Sequence, residues 1–194
     1  MTASAGHLAA RRVTDWLEPK NWIIVTTPLI GWKTDGIAGV GWGLFGTLFA
    51  AVLPVLFIKY GMRRGRWADR NVGAKRHRLV VMIFIIASAG TGITLMTVFG
   101  APGLVIALIV GMLATIAVLM AITTVWKISV HSTVSSGSVA MLALTYGPVL
   151  LAGYAVVALI GWSRVALGDH TVAQVAAGAL LGALAAAVTY LAIR

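Results

Sequence analysis

Long apolar runs separated by short polar segments dominate this chain and predict a series of membrane-spanning helices. A helix needs about 20 apolar residues to cross the hydrocarbon core of a bilayer. The candidate spans are Ile37–Ile58, Leu79–Phe99, Leu104–Val125, Val130–Tyr146, Pro148–Trp162 and Thr171–Ile193. Gly147-Pro148 separates the fourth from the fifth, because proline removes a backbone donor and disfavours helix just before it. The pattern therefore predicts an all-α, polytopic membrane helix bundle of about six transmembrane helices.

The N-terminal residues 1–36 are predicted to form an amphipathic or interfacial segment ahead of a transmembrane domain at 37–194. Within this segment, Asn21–Trp32 is apolar but short. It is typical of a re-entrant or interfacial helix, and a seventh, short span is the alternative. Three tryptophans lie before or within this stretch and are expected to anchor it at the interface: Trp16, Trp22 and Trp32.

The last span carries two glycines four residues apart, Gly178 and Gly182. Small residues at this spacing let the backbones of two helices approach closely in a membrane. We therefore expect this span to pack tightly against another helix.

The polar connections of a six-span chain fall on one face of the membrane. These connections are Lys59–Arg78, Trp126–Ser129 and Ser163–His170, whereas the opposite face has only tight turns rich in glycine and proline. Chemistry that involves polar side chains is therefore expected on one side only.

Composition supports a membrane protein and limits its chemistry. Only 10% of the 194 residues are charged, against roughly 25% in a soluble domain. The chain has no cysteine and only five acidic residues, which excludes disulfides and thiolate sites and leaves too few carboxylates for a clustered hard-metal site. We therefore expect no metal and no other cofactor.

The net charge of +10 indicates anionic lipid rather than nucleic acid as the partner, since the basic residues crowd beside apolar spans. Eight Lys or Arg and one Asp lie between Lys59 and Arg78. The positive-inside rule places such a loop in the cytoplasm. The prediction is a multi-pass plasma membrane protein with its polar site on the cytoplasmic face.

Two of the four histidines begin helices on the polar face, His131 and His170. Ionisable residues near a membrane are costly unless they have a partner, so they are candidates for function. Arg164 can offer a bidentate fork to phosphate oxygens, and Lys127 can add a point charge. A helix N-terminus adds free N–H groups and a positive dipole end. The four side chains together predict an anion site.

The residues around His170 also suggest how its ring is held. Asp169 directly precedes it and is expected to be the N-cap of the last helix. Gln174 follows four residues later and so shares a helix face with His170. The Gln174 carbonyl can accept a hydrogen bond from one ring nitrogen, which leaves the other nitrogen free to attack.

Ser163-Arg164, five residues and then His170 resemble the third signature of the type-2 phosphatidic acid phosphatases. Ser129-Val130-His131 resembles their second signature, Pro-Ser-Gly-His, and the resemblance runs from Lys127 to the C-terminus. The form His170-Thr171-x-x-Gln174 is similar to dolichyl-diphosphatase-like members. The family are six-helix integral membrane enzymes that hydrolyse lipid phosphates and diphosphates without a metal.

This resemblance implies a lipid phosphatase in which His170 is the nucleophile that forms a phosphohistidine. It implies that His131 protonates the leaving oxygen and that Gln174 orients the nucleophile. The nearest counterpart of the first signature lies a hairpin earlier, where Asn71 and Arg78 have the matching separation. The residues expected to hold the phosphoryl oxygens are Arg164, Ser129, Lys127, Ser163 and Arg78. A polyprenyl phosphate or diphosphate is the first expected substrate, and a phosphatidate-like lipid is the second.

Other classes of protein remain as alternatives. An intramembrane prenyltransferase would need Mg²⁺ on paired Asp-rich motifs, and the loop that carries Asp69 holds only this one Asp. A catalytically inactive lipid-binding membrane subunit is favoured by Val130 and Gln174, where the family has glycine and aspartate. A small transporter is disfavoured by the lack of an inverted repeat.

Overall fold

The computed structural model describes residues 5–66, 75–123 and 125–192, without the side chains at 75, 76, 78 and 79. These ranges contain α-helices and no strand. The helices are α1 Ala5–Trp16, α2 Pro19–Thr47, α3 Leu53–Arg63, α4 Lys75–Val98, α5 Gly103–Thr123, α6 Val130–Tyr146, α7 Tyr154–Ala166 and α8 Val172–Leu191. A π-helical turn, Leu48–Val52, joins α2 to α3, and a 3-10 segment, Pro148–Gly153, leads into α7.

Five helical stretches among the described residues are long and apolar enough to cross a membrane. They are Ala5–Arg63, Val80–Val98, Gly103–Thr123, Pro148–Ala166 and Val172–Leu191. The remaining predicted span is α6, which coincides with its predicted bounds but is only 17 residues long. The prediction of an all-helical membrane protein is confirmed.

The chain divides into two compact units, and the division differs from the predicted boundary between residues 36 and 37. The first unit joins Met1–Thr26 to Ala114–Arg194, and the second is Thr27–Leu113. Every predicted site residue except Arg78 belongs to the first unit. Arg78 lies in α4 of the second unit, but its side chain and the residues 67–74 are outside the described part of the chain.

The first unit is built on close contact between α6 and α8. A Cβ atom added to Gly182 would lie 2.0 Å from the backbone oxygen of Thr133, and one added to Gly178 would lie 2.7 Å from that of Ser129. Only glycine allows such an approach. The expectation that the glycine pair of the last span packs against another helix is therefore confirmed.

The polar face of α6 points into the first unit. Ser132, Ser135 and Ser136 are buried, and the hydroxyl of Ser136 donates to the backbone oxygen of Ala179 in α8 over 2.6 Å. Polar groups in a membrane protein must find partners inside the protein. This requirement explains how a helix with so many hydroxyl side chains can serve as a central element.

The amphipathic helix α1 also belongs to the first unit and packs on α7. Its buried residues are Ala10 and Thr14. The hydroxyls of Thr14 and Ser163 are hydrogen-bonded at 2.9 Å. The N-terminal helix is therefore attached beside the end of α7 that carries Arg164.

The part of α2 that belongs to the second unit, from Thr27 onward, is a helical hairpin. Its helix is interrupted at Asp35 and Gly36, and the φ of +51° at Gly36 is a conformation that favours glycine. On either side of this turn the backbones touch, since a Cβ on Gly31 would lie 2.0 Å from the oxygen of Gly39. Within the second unit, residues 27–32 of this predicted stretch are therefore helical and fold back against the start of the next predicted span.

Candidate functional site

The turn between α7 and α8 returns the chain to the end of α7. Gly168 has a φ of +71°, and the backbone N–H groups of Asp169 and His170 both donate to the carbonyl of Arg164, over 3.1 Å and 3.3 Å. A glycine in this left-handed conformation after a helix is a common helix end. The turn therefore places His170 beside the last turn of α7, next to Arg164.

The N-cap of α8 is Thr171, so the prediction that Asp169 caps this helix is wrong. The Thr171 hydroxyl accepts from the backbone N–H of Gln174 over 3.3 Å, and the Gln174 side chain accepts from the backbone N–H of Thr171 over 3.1 Å. This reciprocal pair is a capping box. Asp169 lies two residues too early to cap, and its carboxylate instead pairs with Arg164, Oδ2 to Nη2, over 2.8 Å.

The capping box determines which nitrogen of His170 can react. Oε1 of Gln174 lies 3.3 Å from Nδ1 of His170 and also accepts from the backbone N–H of Thr171. Because that N–H can only donate, the amide atom that faces it is the oxygen. Nδ1 of His170 must then carry the proton, and Nε2 keeps its lone pair. The arrangement holds the ring in the tautomer that a nucleophile needs.

Arg164 is buried, with 7% of its surface exposed. Nη2 contacts Asp169, while Nε is buried and has no hydrogen-bond partner among the described residues. A buried N–H without an acceptor in the protein is costly, and a bound anion would supply that acceptor. Arg164 therefore offers a donor to an anion next to His170.

The positive charges around His170 favour its neutral form. Burial lowers the pKa of His170 below its ordinary value, and Lys127 and Arg164 lower it further. The hydrogen bond that His170 donates to Gln174 and the charge of Asp169 oppose these effects. Lys127 is tied to the same turn, since its Nζ donates to the backbone oxygen of Asp169 over 3.0 Å. His170 is thus kept unprotonated at neutral pH beside the positive charges of Lys127 and Arg164.

His131 lies in the first turn of α6, directly after the segment that carries Lys127. It interacts electrostatically with Arg164, His170, Asp169 and Glu18. The structure therefore brings together His131 from α6, Arg164 from α7 and His170 from the following turn, all within the first unit.

Two predicted phosphate ligands have other partners in the structure. Ser129 is the N-cap of α6, and its hydroxyl accepts from the backbone N–H of Ser132. Ser163 is fully buried, and its hydroxyl contacts Thr14 and donates to the carbonyl of Ile160 over 2.7 Å. Both hydroxyls serve helix capping and packing, and neither is included in the phosphate site proposed below.

The interpretation of the sequence did not identify two residues near the site, Thr171 and Glu18. Thr171 could have been recognised, because Thr171-x-x-Gln174 is the pattern of a capping box. Glu18 carries no local signal apart from being one of only five acidic residues, and its electrostatic interaction with His131 arises only in the tertiary structure.

The donor set of the site suits an oxyanion. Arg164 and Lys127 supply N–H groups and positive charge. Within the described ranges, no group of three or more His, Asp or Glu side chains is arranged to hold a metal ion. No protein-family model, no curated protein and no solved structure matches this chain. The functional interpretation therefore depends on the geometry of the site.

The ion pair between Asp169 and Arg164 leads to a prediction about anion affinity. Asp169→Asn should strengthen binding of inorganic phosphate about 3- to 10-fold, because a carboxylate no longer competes with phosphate for the guanidinium. The measurement is the dissociation constant of phosphate, with Asp15→Asn as a control that removes an exposed carboxylate from α1. Weaker phosphate binding in Asp169→Asn would show that the ion pair organises the site instead of competing for it.

Proposed function

We propose that this protein is a metal-independent membrane lipid-phosphate phosphatase, a phosphoric monoester or diphosphate hydrolase that works through a phosphohistidine at His170. The observation that carries the proposal is the buried, unpartnered Nε of Arg164 beside a histidine whose Nδ1 is held by Gln174. The guanidinium of Arg164 can bind an oxyanion, and Nε2 of His170 can present its lone pair to the phosphorus of that anion. A six-span plasma membrane topology with the site on the cytoplasmic face is part of the proposal.

In the first step, Nε2 of His170 attacks phosphorus and the bond from phosphorus to the leaving oxygen breaks. His131 gives its proton to that oxygen. A lipid monophosphate therefore leaves as the lipid alcohol, and a lipid diphosphate leaves as the lipid monophosphate. The guanidinium of Arg164 and the ammonium of Lys127 hold the non-bridging oxygens and stabilise their charge. Gln174 stabilises the positively charged ring of His170, because its side-chain oxygen accepts the hydrogen bond from Nδ1.

In the second step, water attacks the phosphohistidine and the nitrogen–phosphorus bond breaks. His131, now neutral, takes a proton from the water, which restores its charged form. Inorganic phosphate leaves and His170 is neutral again. The two steps balance without a cofactor, because one water is consumed and the lipid and phosphate are released.

Apolar side chains beside the site support an amphiphilic substrate. Trp126, Val130 and Val172 are all exposed, and each lies within two residues of Lys127, His131 or His170 in the chain. A lipid headgroup can then reach the polar groups while its tail stays in the bilayer. A polyprenyl phosphate or diphosphate is the proposed substrate, with a phosphatidate-like lipid second.

Release of phosphate in detergent from a panel of lipid phosphates tests this function. We expect hydrolysis that persists with a strong chelator present, since the proposed chemistry uses only protein side chains. A polyprenyl diphosphate, a polyprenyl monophosphate and a phosphatidate should be compared. Activity that is lost with chelator and restored by Mg²⁺ would favour the prenyltransferase class instead.

A catalytically inactive lipid-binding subunit is the second candidate. It is favoured by the ion pair of Arg164 with Asp169 and by the occupied hydroxyls of Ser129 and Ser163, which leave fewer groups for a transition state. This candidate predicts saturable binding of lipid phosphates, reduced in Arg164→Gln, with no release of phosphate from any of them.

A further inference from the structure

The backbone of Ser129 bonds directly to the first turn of α8. Its N–H donates to the backbone carbonyl of Gln174 over 3.3 Å. In a helix this carbonyl also faces the N–H four residues later, that of Gly178. Ser129 is fully buried and is the residue at which α6 begins, as its N-cap. The bond therefore joins the start of α6 to the residue whose side chain contacts the ring of His170.

Gly178 is the residue of α8 that lets Ser129 approach. A Cβ atom at this position would lie 2.7 Å from the backbone oxygen of Ser129 and 3.0 Å from Oγ1 of Thr133. The first distance is shorter than a Cβ atom tolerates, and a backbone oxygen cannot turn away as the end of a flexible side chain can. Any side chain at position 178 would therefore push Ser129 away from α8.

The carbonyl of Ser129 is held from the side of α6. It accepts from the backbone N–H of Thr133 over 3.0 Å and from the Thr133 hydroxyl over 2.9 Å. Thr133 is buried. Both backbone groups of Ser129 thus have partners, the N–H in α8 and the carbonyl in α6. Ser129 is fixed between the two helices by its main chain.

A second hydrogen bond ties the same connection to the turn before α8. Nζ of Lys127 donates to the backbone oxygen of Asp169 over 3.0 Å. Lys127 lies two residues before Ser129, and Asp169 directly precedes His170. The segment that leads to His131 is therefore bonded both to the residue before His170 and, through Ser129, to the first turn of α8.

We propose that Gly178 is a positioning residue for the two histidines. It lets Ser129 dock on Gln174, and this contact sets the separation between the acid and the nucleophile. This inference rests on the proposed phosphatase function. Because His131 lies two residues after Ser129 and His170 four residues before Gln174, a shift at the contact changes the distance between the two rings. Misplacement of a reacting group by about 1 Å can cost about 10²-fold in rate.

Replacing Gly178 by alanine should lower kcat about 10²-fold for a lipid monophosphate. KM should change less than about threefold, since Arg164 still binds the phosphate and only the reacting geometry is lost. The measurement is kcat and KM for phosphate release in detergent.

Gly137→Ala is the control for this variant. A Cβ atom at position 137 would lie 3.1 Å from the backbone oxygen of Gly182, in the same contact between α6 and α8, but six residues beyond His131. This variant should disturb the packing of the helices and leave kcat within about threefold of the wild type. Equal losses of kcat in Gly178→Ala and Gly137→Ala would overturn the proposal, because any disturbance of the helix contact would then have the same effect.

Hydrogen exchange of the Ser129 amide tests the docking contact without turnover. In protein that carries isotope-labelled serine, this amide gives the NMR signal that disappears in Ser129→Ala. It should exchange about tenfold faster in Gly178→Ala than in the wild type, as expected for loss of one hydrogen bond, and at the wild-type rate in Gly137→Ala. Unchanged exchange in Gly178→Ala would refute the docking, and faster exchange with wild-type kcat would refute the positioning role. If the wild-type protein releases no phosphate while exchange responds as expected, the docking contact stands and the phosphatase function fails.

Two variants of Thr133 test the same contact without a steric clash, and they decide the proposal if Gly178→Ala does not fold. Thr133→Val keeps the shape of the side chain and removes the hydroxyl that donates to the carbonyl of Ser129. It should lower kcat about 3- to 10-fold, in line with one lost hydrogen bond. Thr133→Ser retains the hydroxyl and should recover most of this loss. Wild-type kcat in Thr133→Val would overturn the proposal.

Discussion

Replacing His170 by alanine should abolish phosphate release from every lipid that the wild-type protein hydrolyses. The reason is that the proposed mechanism uses Nε2 of His170 to form the bond to phosphorus, and Gln174 orients this ring by accepting a hydrogen bond from Nδ1. The measurement is release of phosphate by the purified variant, with His7→Ala as a control that removes an exposed histidine of α1. Near-normal turnover in His170→Ala would show that another residue performs the attack.

Trapping the proposed phosphohistidine tests the attack of His170 on phosphorus directly. Rapid quenching in alkali, which preserves phosphohistidine, should trap radioactive phosphate on the wild-type protein and on His7→Ala. His170→Ala should carry none. Label on a serine or an aspartate would place the nucleophile elsewhere, and hydrolysis without any trapped label would favour direct attack by water.

The pH dependence of kcat/KM should report the neutral form of His170. Because burial, Lys127 and Arg164 lower the pKa of His170, the acid limb of the profile should lie below the ordinary histidine value of about 6.5. Lys127→Gln removes one of these positive charges, so the pKa should rise and the acid limb should move to higher pH. Lys33→Gln, in the second unit, is the control. An acid limb that moves to lower pH in Lys127→Gln would contradict this assignment.

Replacing His131 by alanine should lower kcat for an alkyl monophosphate by roughly 10²–10⁴-fold, which is the usual contribution of a general acid. The loss should shrink to about tenfold for a diphosphate, because a phosphate leaving group needs less protonation than an alkoxide. The measurement is kcat for a matched pair of polyprenyl monophosphate and diphosphate. Since His131 is also the base of the second step, the phosphohistidine should accumulate with the diphosphate.

The ratio of the kcat loss for the monophosphate to the kcat loss for the diphosphate tests whether His131 protonates the leaving oxygen. An equal loss for both substrates would mean that His131 supports the fold of the site and does not protonate the leaving oxygen. Thermal unfolding of His131→Ala and the wild-type protein provides the control, since an acid that acts only in the reaction should leave Tm within a few degrees of the wild type.

Local patterns in the sequence were sufficient for the helices and for part of the site. The lengths of the apolar runs predicted an all-helical membrane protein, and the predicted bounds of α6 agree with the structure. Gly178 and Gly182 predicted a close helix contact, which α6 supplies. The spacing of Gln174 from His170 also predicted their contact, although the capping box with Thr171 produces it and not a shared helix face.

Other features of the site follow only from tertiary structure. The pairing of Asp169 with Arg164 depends on the turn at Gly168. This turn places the Asp169 carboxylate against Arg164, so Asp169 does not cap α8 as the sequence predicted. The hydrogen bond between Thr14 and Ser163 joins residues 149 positions apart. No periodicity of the sequence encodes such a pair.

The physical reason lies in what drives each level of structure. A membrane helix forms wherever about 20 apolar residues follow one another, because its own backbone satisfies every hydrogen bond in the lipid. That choice is local, so the sequence alone determined that this protein is helical and belongs in a membrane. Helices in lipid then choose their neighbours through close packing and a few hydrogen bonds, without a strong hydrophobic force. The position of α1 and the partners of Ser163 and Asp169 were therefore decided by the tertiary structure, where many small contacts between distant segments act together.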